Sequence, residues 1–285
     1  MINLIQEKLR SYSASNRIEE ENAIKEIMQE IALYGLWRAD FFETAVFQGG
    51  TSLRILHALP RFSEGLDFML IAPDPDFDWA PYLDALMATF ETFGIKPEAR
   101  AKGAMDKRIR AAVLKDTSVV NQLDLAFAGR QTGEKITIKL EIDVEPPVHS
   151  KNTWTYLDFP TDYEVQHQDL ASNFALKIHA LLCRGFLKGR DWYDFSWYVS
   201  RGVSPNLVHL EAALKQFGPW SDDAGLTVDK QWIEQQLSGT ISSINWDEAK
   251  KDVRRFLKPA ELKSLELWSE RFFLTKLQRL IETPD

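Results

Sequence analysis

The sequence predicts a mixed α+β fold, with a sheet-bearing N-terminal half and a helical C-terminal half. Short apolar segments bounded by turn residues follow one another as far as Pro146-Pro147, which is typical of strands joined by turns. From about Asp169 onward, apolar residues recur at the spacing of helices. We therefore expect a mixed α/β domain over residues 1–150 and a helical domain over residues 165–285.

The elements of the N-terminal half follow from periodicity and turn residues. Between Arg17 and Trp37 the apolar side chains fall on one helical face, and Asn16 followed by Glu19 is a helix start signal. Gly94 is a typical C-terminal residue for the helix predicted over 79–94. The predicted elements are, in chain order, a helix over 17–37, a strand over 44–48, a helix over 52–59, a strand over 66–72, a helix over 79–94, and strands over 108–114, 122–127 and 135–144.

Composition excludes several classes of protein. The net charge of −8 argues against a protein that coats nucleic acid by charge alone, although a local basic site remains compatible with it. The single cysteine excludes an intramolecular disulfide and fits a reducing compartment. No signal peptide is recognisable, and no apolar run approaches the roughly 20 residues of a membrane span. We expect a cytoplasmic protein that does not bind membranes.

A glycine turn is the first candidate for chemistry. Gly49, Gly50 and Thr51 stand between a predicted strand and a predicted helix. Glycines let backbone N–H groups approach a phosphate, and a helix N-terminus adds a favourable dipole. A simple turn is the more common explanation of such a pair. Asp67 lies on the next predicted strand, where an isolated acid means little.

An acidic strand supplies the second candidate. Side chains alternate between the two faces of a strand, so Lys139, Glu141 and Asp143 share one face of the segment KITIKLEIDV. That face is either solvated or turned toward Asp67, where the carboxylates can hold a divalent metal. A glycine turn followed by two acidic strands is the layout that nucleotidyl transfer requires.

The helical half contains a third candidate. Lys177, Arg184 and Lys188 share a helix face at spacings of seven and four residues. Basic residues on one helix usually form a solvated face. Here a second group of charged residues follows directly after Gly189. It contains Arg190, Asp191 and Asp194, so cations and carboxylates lie close together in the sequence.

Five motifs in order resemble the AbiEii/AbiGii nucleotidyltransferase toxins, a branch of the DNA polymerase β-like nucleotidyltransferase superfamily. The motifs cover residues 45–195, and no family pattern is visible in the helices after residue 200. They are VFQGGTSLR from Val46, LPRFSEGLDF from Leu59, IKLEID from Ile138, ALKIHALLCR from Ala175 and KGRDWYDF from Lys188.

The resemblance implies a fold and a reaction. The fold is a polymerase-β-like mixed sheet with flanking helices, followed by a helical domain that completes an active-site cleft. The reaction moves a nucleoside monophosphate from an NTP to an acceptor and releases pyrophosphate, with Mg²⁺ or Mn²⁺ as cofactor. Relatives are toxins of bacterial toxin–antitoxin or phage-defence systems, and some modify the acceptor end of tRNA. The implied partners are therefore an NTP, tRNA or another RNA, and a cognate antitoxin.

The resemblance also assigns roles to residues. Asp67 would be one metal ligand, with Glu141 or Asp143 as a further carboxylate, and Asp191 would be the acid of the last motif. Arg61 and Ser63 would support the loop. The implied catalytic residues are Asp67, Glu141, Asp143, Lys177 and Asp191. The implied NTP-binding residues are Gly49, Gly50, Thr51, Arg61, Ser63, Lys177 and Arg184.

One position departs from the family pattern S-x-D-L-D. The chain reads Ser63-Glu64-Gly65-Leu66-Asp67, so glycine stands where the first metal ligand is expected. Glu64 cannot replace it simply, because neighbouring residues on a strand point to opposite faces. Whether the chain is an enzyme is therefore open at this point.

Three functions remain compatible with the sequence. The leading hypothesis is a nucleotidyltransferase whose activity is weakened by Gly65. The others are a non-catalytic protein of the same fold that binds nucleotide, RNA or a partner, and a small-molecule nucleotidyltransferase. The segment from Lys96 to Lys115 has seven basic residues against Glu98 and Asp106, and it either contacts RNA phosphates or is merely solvated.

Overall fold

The computed structural model describes residues 1–104, 108–127 and 135–284. The chain divides into two compact units. Unit 1 comprises Met1–Pro146 and Thr153–His167, and unit 2 comprises Pro147–Asn152 and Gln168–Asp285. The predicted mixed α+β fold is confirmed, because unit 1 contains a sheet of seven strands and unit 2 is built from helices.

Unit 1 is organised around one mixed sheet with the strand order β3-β4-β5-β2-β1-β7-β6. Strand β2 runs antiparallel to β1 and parallel to β5, and β4 runs antiparallel to β5. The strands are β1 (Ala45–Gln48), β2 (Gly65–Leu70), β3 (Glu98–Ala104), β4 (Ile109–Asp116), β5 (Ile136–Asp143), β6 (Asn152–Leu157) and β7 (Tyr163–Gln168). The helices of this unit are α1 (Ile2–Ser11), α2 (Arg17–Trp37), α3 (Gly49–His57), α4 (Ala80–Thr92) and α5 (Ser118–Gln122).

Alternation along β5 separates the core from the candidate site. Leu140 and Ile142 are buried, whereas Lys139, Glu141 and Asp143 on the other face keep some exposure. This is the division expected from the sequence. It leaves one face of the central strands available for polar chemistry, while the apolar face joins the core that contains α2.

The segment 122–127 was expected to be a strand, and this prediction is wrong. Residues 118–122 form α5, and the chain then continues without regular structure to Phe127. Its backbone N–H groups bond to side chains instead of a neighbouring strand. Ala126 and Phe127 donate to the carboxylate of Glu20 at 2.7 and 3.0 Å, and Asp124 donates to Gln6 at 2.7 Å.

Strands β3, β6 and β7 were not predicted. Apolar and polar residues alternate at the start of β7, which is a strand signal that was missed. Strand β6 is largely exposed, so burial of apolar side chains does not mark it in the sequence. Among the described residues, no helix is both long and apolar enough to cross a membrane.

Unit 2 is an assembly of helices around an aromatic core. Trp192 packs against Trp246 and Phe273, with ring centroids 5.3 Å away in both cases, and Trp246 stacks on Phe273 at 4.2 Å. The helices are α6 (Leu170–Cys183), α7 (Gly189–Ser200), α8 (Leu207–Gln216), α9 (Lys230–Ser243), α10 (Trp246–Arg254), α11 (Pro259–Leu262) and α12 (Glu270–Glu282).

Gly189 begins α7 at a point where another backbone lies in contact. A Cβ atom at this position would overlap the carbonyl oxygen of Ala249 in α10 and would lie 2.8 Å from its carbonyl carbon. Because the obstacle is backbone rather than a flexible side chain, only glycine fits. The close approach of α7 and α10 therefore depends on this residue.

We expect Gly189→Ala to lower the free energy of unfolding by about 3 kcal/mol, because overpacking against a fixed backbone forces the two helices apart. The matched control is Gly239→Ala in the interior of α9, where a Cβ atom meets nothing within 4 Å. The control should raise stability by about 0.5–1 kcal/mol, since glycine is a poor helix former. Urea unfolding followed by tryptophan fluorescence measures both. Equal stabilities for the two variants would contradict the packing argument.

Candidate active site

The glycine turn of unit 1 joins β1 directly to α3. Strand β1 ends at Gln48 and α3 begins at Gly49, and Gln48 gives the helix no side-chain cap. The first turn of an α-helix carries N–H groups that its own hydrogen bonds do not use, together with the positive end of the dipole. An anion at this end of α3 would be stabilised.

A charged side chain packs against each glycine of the turn, which explains why no larger residue fits there. Gly49 has a φ of +77°, and a Cβ atom there would lie 2.7 Å from Oδ2 of Asp67. A Cβ atom on Gly50 would overlap Nη2 of Arg61, which is itself buried. The turn is therefore bracketed by a carboxylate on one side and a buried guanidinium on the other.

Thr51 and Ser63 connect the turn to the beginning of β2. The hydroxyl of Thr51 is buried and donates to the carbonyl oxygen of Gly65. The carbonyl oxygen of Ser63 accepts from the side-chain amide of Gln29 in α2 at 3.3 Å. These bonds position the backbone, and phosphate binding by Thr51 or Ser63 stays a prediction.

The register of β2 and β5 decides which acids are neighbours. The two strands are parallel, with Asp67 paired to Glu141 and Met69 paired to Asp143. Paired residues of parallel strands point to the same face, on strands about 4.8 Å apart. Glu141 is therefore the carboxylate directly beside Asp67.

Asp143 lies one position further along the same face and has structural partners. Its carboxylate accepts from Arg108 at 2.8 Å and from the backbone N–H of Glu145 at 3.0 Å. Of the two candidate residues that the sequence left open, the structure brings Glu141 and not Asp143 next to Asp67. Within residues 1–104, 108–127 and 135–284, no three Asp, Glu, His or Cys side chains are grouped to hold a metal ion.

Gly65 occupies the position where a further carboxylate would complete the group. It is paired with Lys139 of β5, and a Cβ atom on Gly65 would lie 3.2 Å from the carbonyl oxygen of Lys139. That contact is tight but requires a shift of only a few tenths of an ångström. A larger residue here therefore requires that the backbone of Lys139 move by this amount.

A buried network that was not predicted holds the loop containing Arg61. The guanidinium of Arg54 in α3 donates to Glu26 of α2 at 2.7 Å and to the carbonyl oxygens of Leu59 and Pro60 at 2.9 and 3.0 Å. Glu26 is 7 % exposed. An amphipathic interpretation of α2 places its glutamates in solvent, so this contact could not be predicted from periodicity.

Unit 2 gathers the charged residues of the last two motifs into one cluster. The Nζ atom of Lys177 in α6 lies 2.7 Å from Oδ1 of Asp191 and 2.8 Å from Oδ2 of Asp194, both in α7. The Nε atom of Arg184 lies 3.4 Å from the other oxygen of Asp191. Asp191 is therefore in direct contact with Lys177 and Arg184.

The electrostatics of this cluster follow from its composition. Burial alone would raise the pKa of Asp191, but Lys177, Arg184 and Lys188 together outweigh burial and hold the pKa well below its ordinary value. Burial lowers the pKa of Lys188, and the neighbouring cations lower it further. Asp191 is thus an ionised carboxylate that holds three cations together.

Arg190 and Asp194 of α7 both have partners outside their own helix. Arg190 lies over the ring of Phe256 at 4.2 Å, with its Nε 3.9 Å from the carboxylate of Asp252 in α10. Asp194 binds Lys177 of α6 at 2.8 Å. These contacts connect α7 to α6 and to α10.

The basic segment after Lys96 is only partly available to a ligand. Lys96, Arg100, Lys102 and Lys115 are exposed. Arg108 is held by Asp143, and Arg110 donates to the carbonyl oxygen of Pro75 at 2.7 Å. Lys107 lies outside the described residues.

We expect Asp191→Asn to lower the free energy of unfolding by about 3 kcal/mol, because it leaves buried cations without their anion. The side chains of Asp191 and Lys177 are 4 % and 11 % exposed, so solvent screens this pair weakly. The control is Asp247→Asn in α10, whose side chain is 84 % exposed and pairs with Lys250. It should change stability by less than about 1 kcal/mol. A thermal midpoint for Asp191→Asn equal to that of the control would show that the cluster is not structural.

Comparison with known proteins assigns the sequence to a family. The family described as "Nucleotidyl transferase AbiEii toxin, Type IV TA system" matches residues 31–276. No curated protein matches the sequence.

Two solved structures from Helicobacter pylori resemble the fold at low sequence identity. One is described as a "putative nucleotidyltransferase" from H. pylori; it has 16% identity and a TM-score of 0.50, with 90% of this chain and 92% of that chain covered. The other, JHP933, has 16% identity and a TM-score of 0.48, with 92% and 93% covered. Since the family pattern spans most of the chain, including both the glycine turn and the Lys177 cluster, the chain belongs to the AbiEii family of nucleotidyltransferase toxins of type IV toxin–antitoxin systems.

Proposed function

We propose that this chain transfers a nucleoside monophosphate from an NTP to an RNA acceptor such as tRNA, at a rate reduced by Gly65. The observation that carries this proposal is the placement of Asp67. Its carboxylate lies against Gly49 at the N-terminus of α3 and beside Glu141 on the neighbouring strand. Nucleotidyl transfer needs phosphate-binding and metal-binding groups this close together.

The turn would bind the triphosphate. The backbone N–H groups and dipole of α3 favour an anion. The buried guanidinium of Arg61 against Gly50 adds a full positive charge. In unit 2, Lys177 is proposed as a further NTP ligand, with Asp191 and Asp194 fixing its Nζ atom.

Asp67 and Glu141 would hold a divalent cation. Carboxylate oxygens are the ligands that Mg²⁺ prefers, and Mn²⁺ accepts them too. Two neighbouring carboxylates fit one ion that also binds the NTP, whereas a second ion lacks the ligand that Gly65 has removed. A bound ion would neutralise charge on the reacting phosphate. The residues of the chain would position the NTP against the acceptor hydroxyl.

The family supports a biological setting for this activity. The proposal includes a cognate antitoxin and a role in phage defence, since the family is that of type IV toxin–antitoxin systems. A second candidate function, binding of nucleotide or RNA without transfer, is favoured by Gly65 and by the engagement of Asp143 with Arg108. Activity measurements on variants of position 65 separate the two.

We expect Gly65→Asp to raise nucleotidyl transfer by at least about tenfold, which is about 1.4 kcal/mol of transition-state stabilisation. Residues 65 and 67 lie about 6.6 Å apart on one face of β2, so two carboxylates there can lean together around one ion. The assay measures transfer of label from each α-³²P-labelled NTP to total RNA with Mg²⁺.

Gly65→Asn is the matched control, because it has the size of aspartate without the charge. It experiences the same contact with the carbonyl oxygen of Lys139 and should not raise the rate. Fast transfer by the natural chain with no gain from Gly65→Asp would show that other acids hold the metal. If neither the natural chain nor Gly65→Asp transfers nucleotide although both bind NTP, the non-catalytic function is favoured.

A further inference from the structure

A groove on the last helix of unit 2 combines positive charge with an aromatic ring. Its volume is about 340 Å³. We call it the α12 groove, and its described lining contains no acidic residue. The residues that matter for the argument are Leu267, Arg271, Phe272, Thr275, Lys276 and Arg279.

The three cations of the α12 groove are not neutralised within the described part of the chain. None of them forms an ion pair with a carboxylate there. Lys276 donates to the hydroxyl of Ser200 at 2.7 Å, which brings no negative charge. Burial and the charge of Arg279 both lower the pKa of Lys276, so an anion in the groove would relieve an unfavourable arrangement.

Two acids of α12, Glu270 and Glu282, have hydrogen-bond partners that are not cations of the groove. Glu270 accepts from the hydroxyl of Ser242 at 2.7 Å. Glu282 accepts from the side-chain amide of Gln278 at 3.0 Å. In a chain with a net charge of −8, a groove lined by three cations and no carboxylate is a local concentration of positive charge, which favours an anionic ligand.

The spacing of the cations suits a chain of anionic groups. Arg271 and Arg279 stand eight residues apart on α12, and both line the groove together with Lys276. Eight residues of helix extend about 12 Å along the axis, which is longer than one phosphate group. A linear polyanion therefore uses the groove better than a free phosphate ion.

Phe272 distinguishes between polyanions. Its ring is partly exposed, lies 5.5 Å from Nζ of Lys276 and is supported by Phe273 at a centroid distance of 5.0 Å. An aromatic ring beside cations is the arrangement that binds single-stranded nucleic acid, because bases stack on the ring while phosphates meet the charges. An acidic peptide would use the charges but not the ring.

We propose that the α12 groove binds single-stranded RNA, with Arg271, Lys276 and Arg279 on its phosphates and Phe272 beneath a base. This inference rests on the proposed function in that the bound strand would belong to the acceptor RNA. It assigns RNA contacts to α12 rather than to the exposed cations of β3.

The test measures binding of a fluorescein-labelled 12-nucleotide oligouridine by anisotropy, over a series of salt concentrations and without NTP or divalent metal. We expect the double variant Arg271→Gln/Arg279→Gln to bind about tenfold more weakly. For two lost contacts to a single strand, the slope of log K against log salt should become shallower by about 1.4. The control Arg100→Gln/Lys102→Gln removes two exposed positive charges from β3 and should change binding less than twofold.

Phe272→Leu provides an independent test of stacking. It should weaken oligouridine binding about fivefold, since a base would lose the aromatic ring on which it stacks, and it should leave the salt slope unchanged. Circular dichroism confirms that the variants fold.

Several results would overturn the proposal. One is unchanged oligouridine binding by the α12 double variant, and another is an equal loss of binding in the β3 control. A third is that polyglutamate or inorganic phosphate displaces the labelled oligouridine as effectively, per charge, as unlabelled oligouridine does. Because the assay contains no NTP, absence of nucleotidyl transfer in the natural chain would defeat the proposed function and leave the groove assignment intact. Unchanged oligouridine binding would defeat the groove assignment alone.

Discussion

The parallel pairing of β2 with β5 is the constraint on which the candidate site depends. One register places Asp67 beside Glu141, Gly65 beside Lys139 and Asp143 beyond the pair. A shift by one residue would turn the acidic face of either strand into the core. The buried side chains of Leu140 and Ile142 prevent such a shift, because exposing them would cost roughly 1.5–3 kcal/mol each. Core packing therefore determines which carboxylates can share a ligand.

Much of this arrangement could be predicted from the sequence, because local patterns carry it. Alternation along β5 identified its acidic face, and the glycine pair identified the turn before α3. The choice between Glu141 and Asp143 could not be predicted, since it depends on the register with a strand some 70 residues away. The partners of Arg54 and Arg190 were hidden for the same reason, as both lie on other helices.

The two units use charge in different ways. In unit 1, the side chains of Asp67 and Arg61 pack against the backbone of Gly49 and Gly50, where any larger residue would collide with them. In unit 2, Asp191 and Asp194 bind cations of their own chain at 2.7 and 2.8 Å, which fixes α6 to α7. A family motif that looks uniformly catalytic in sequence thus contains residues that hold side chains in place as well as residues suited to bind a ligand. Substitutions of Asp191 or Asp194 will therefore affect stability.

The space around Gly65 has an evolutionary consequence. Codons for glycine and aspartate can differ by a single base. A Cβ atom added to Gly65 would lie 3.2 Å from the carbonyl oxygen of Lys139, which is a tight contact. Where the glycine codon ends in a pyrimidine, one base change would introduce a carboxylate here, at the cost of a shift of a few tenths of an ångström in the neighbouring backbone. Under the proposed function, such a change would alter the activity of the protein without requiring a different fold.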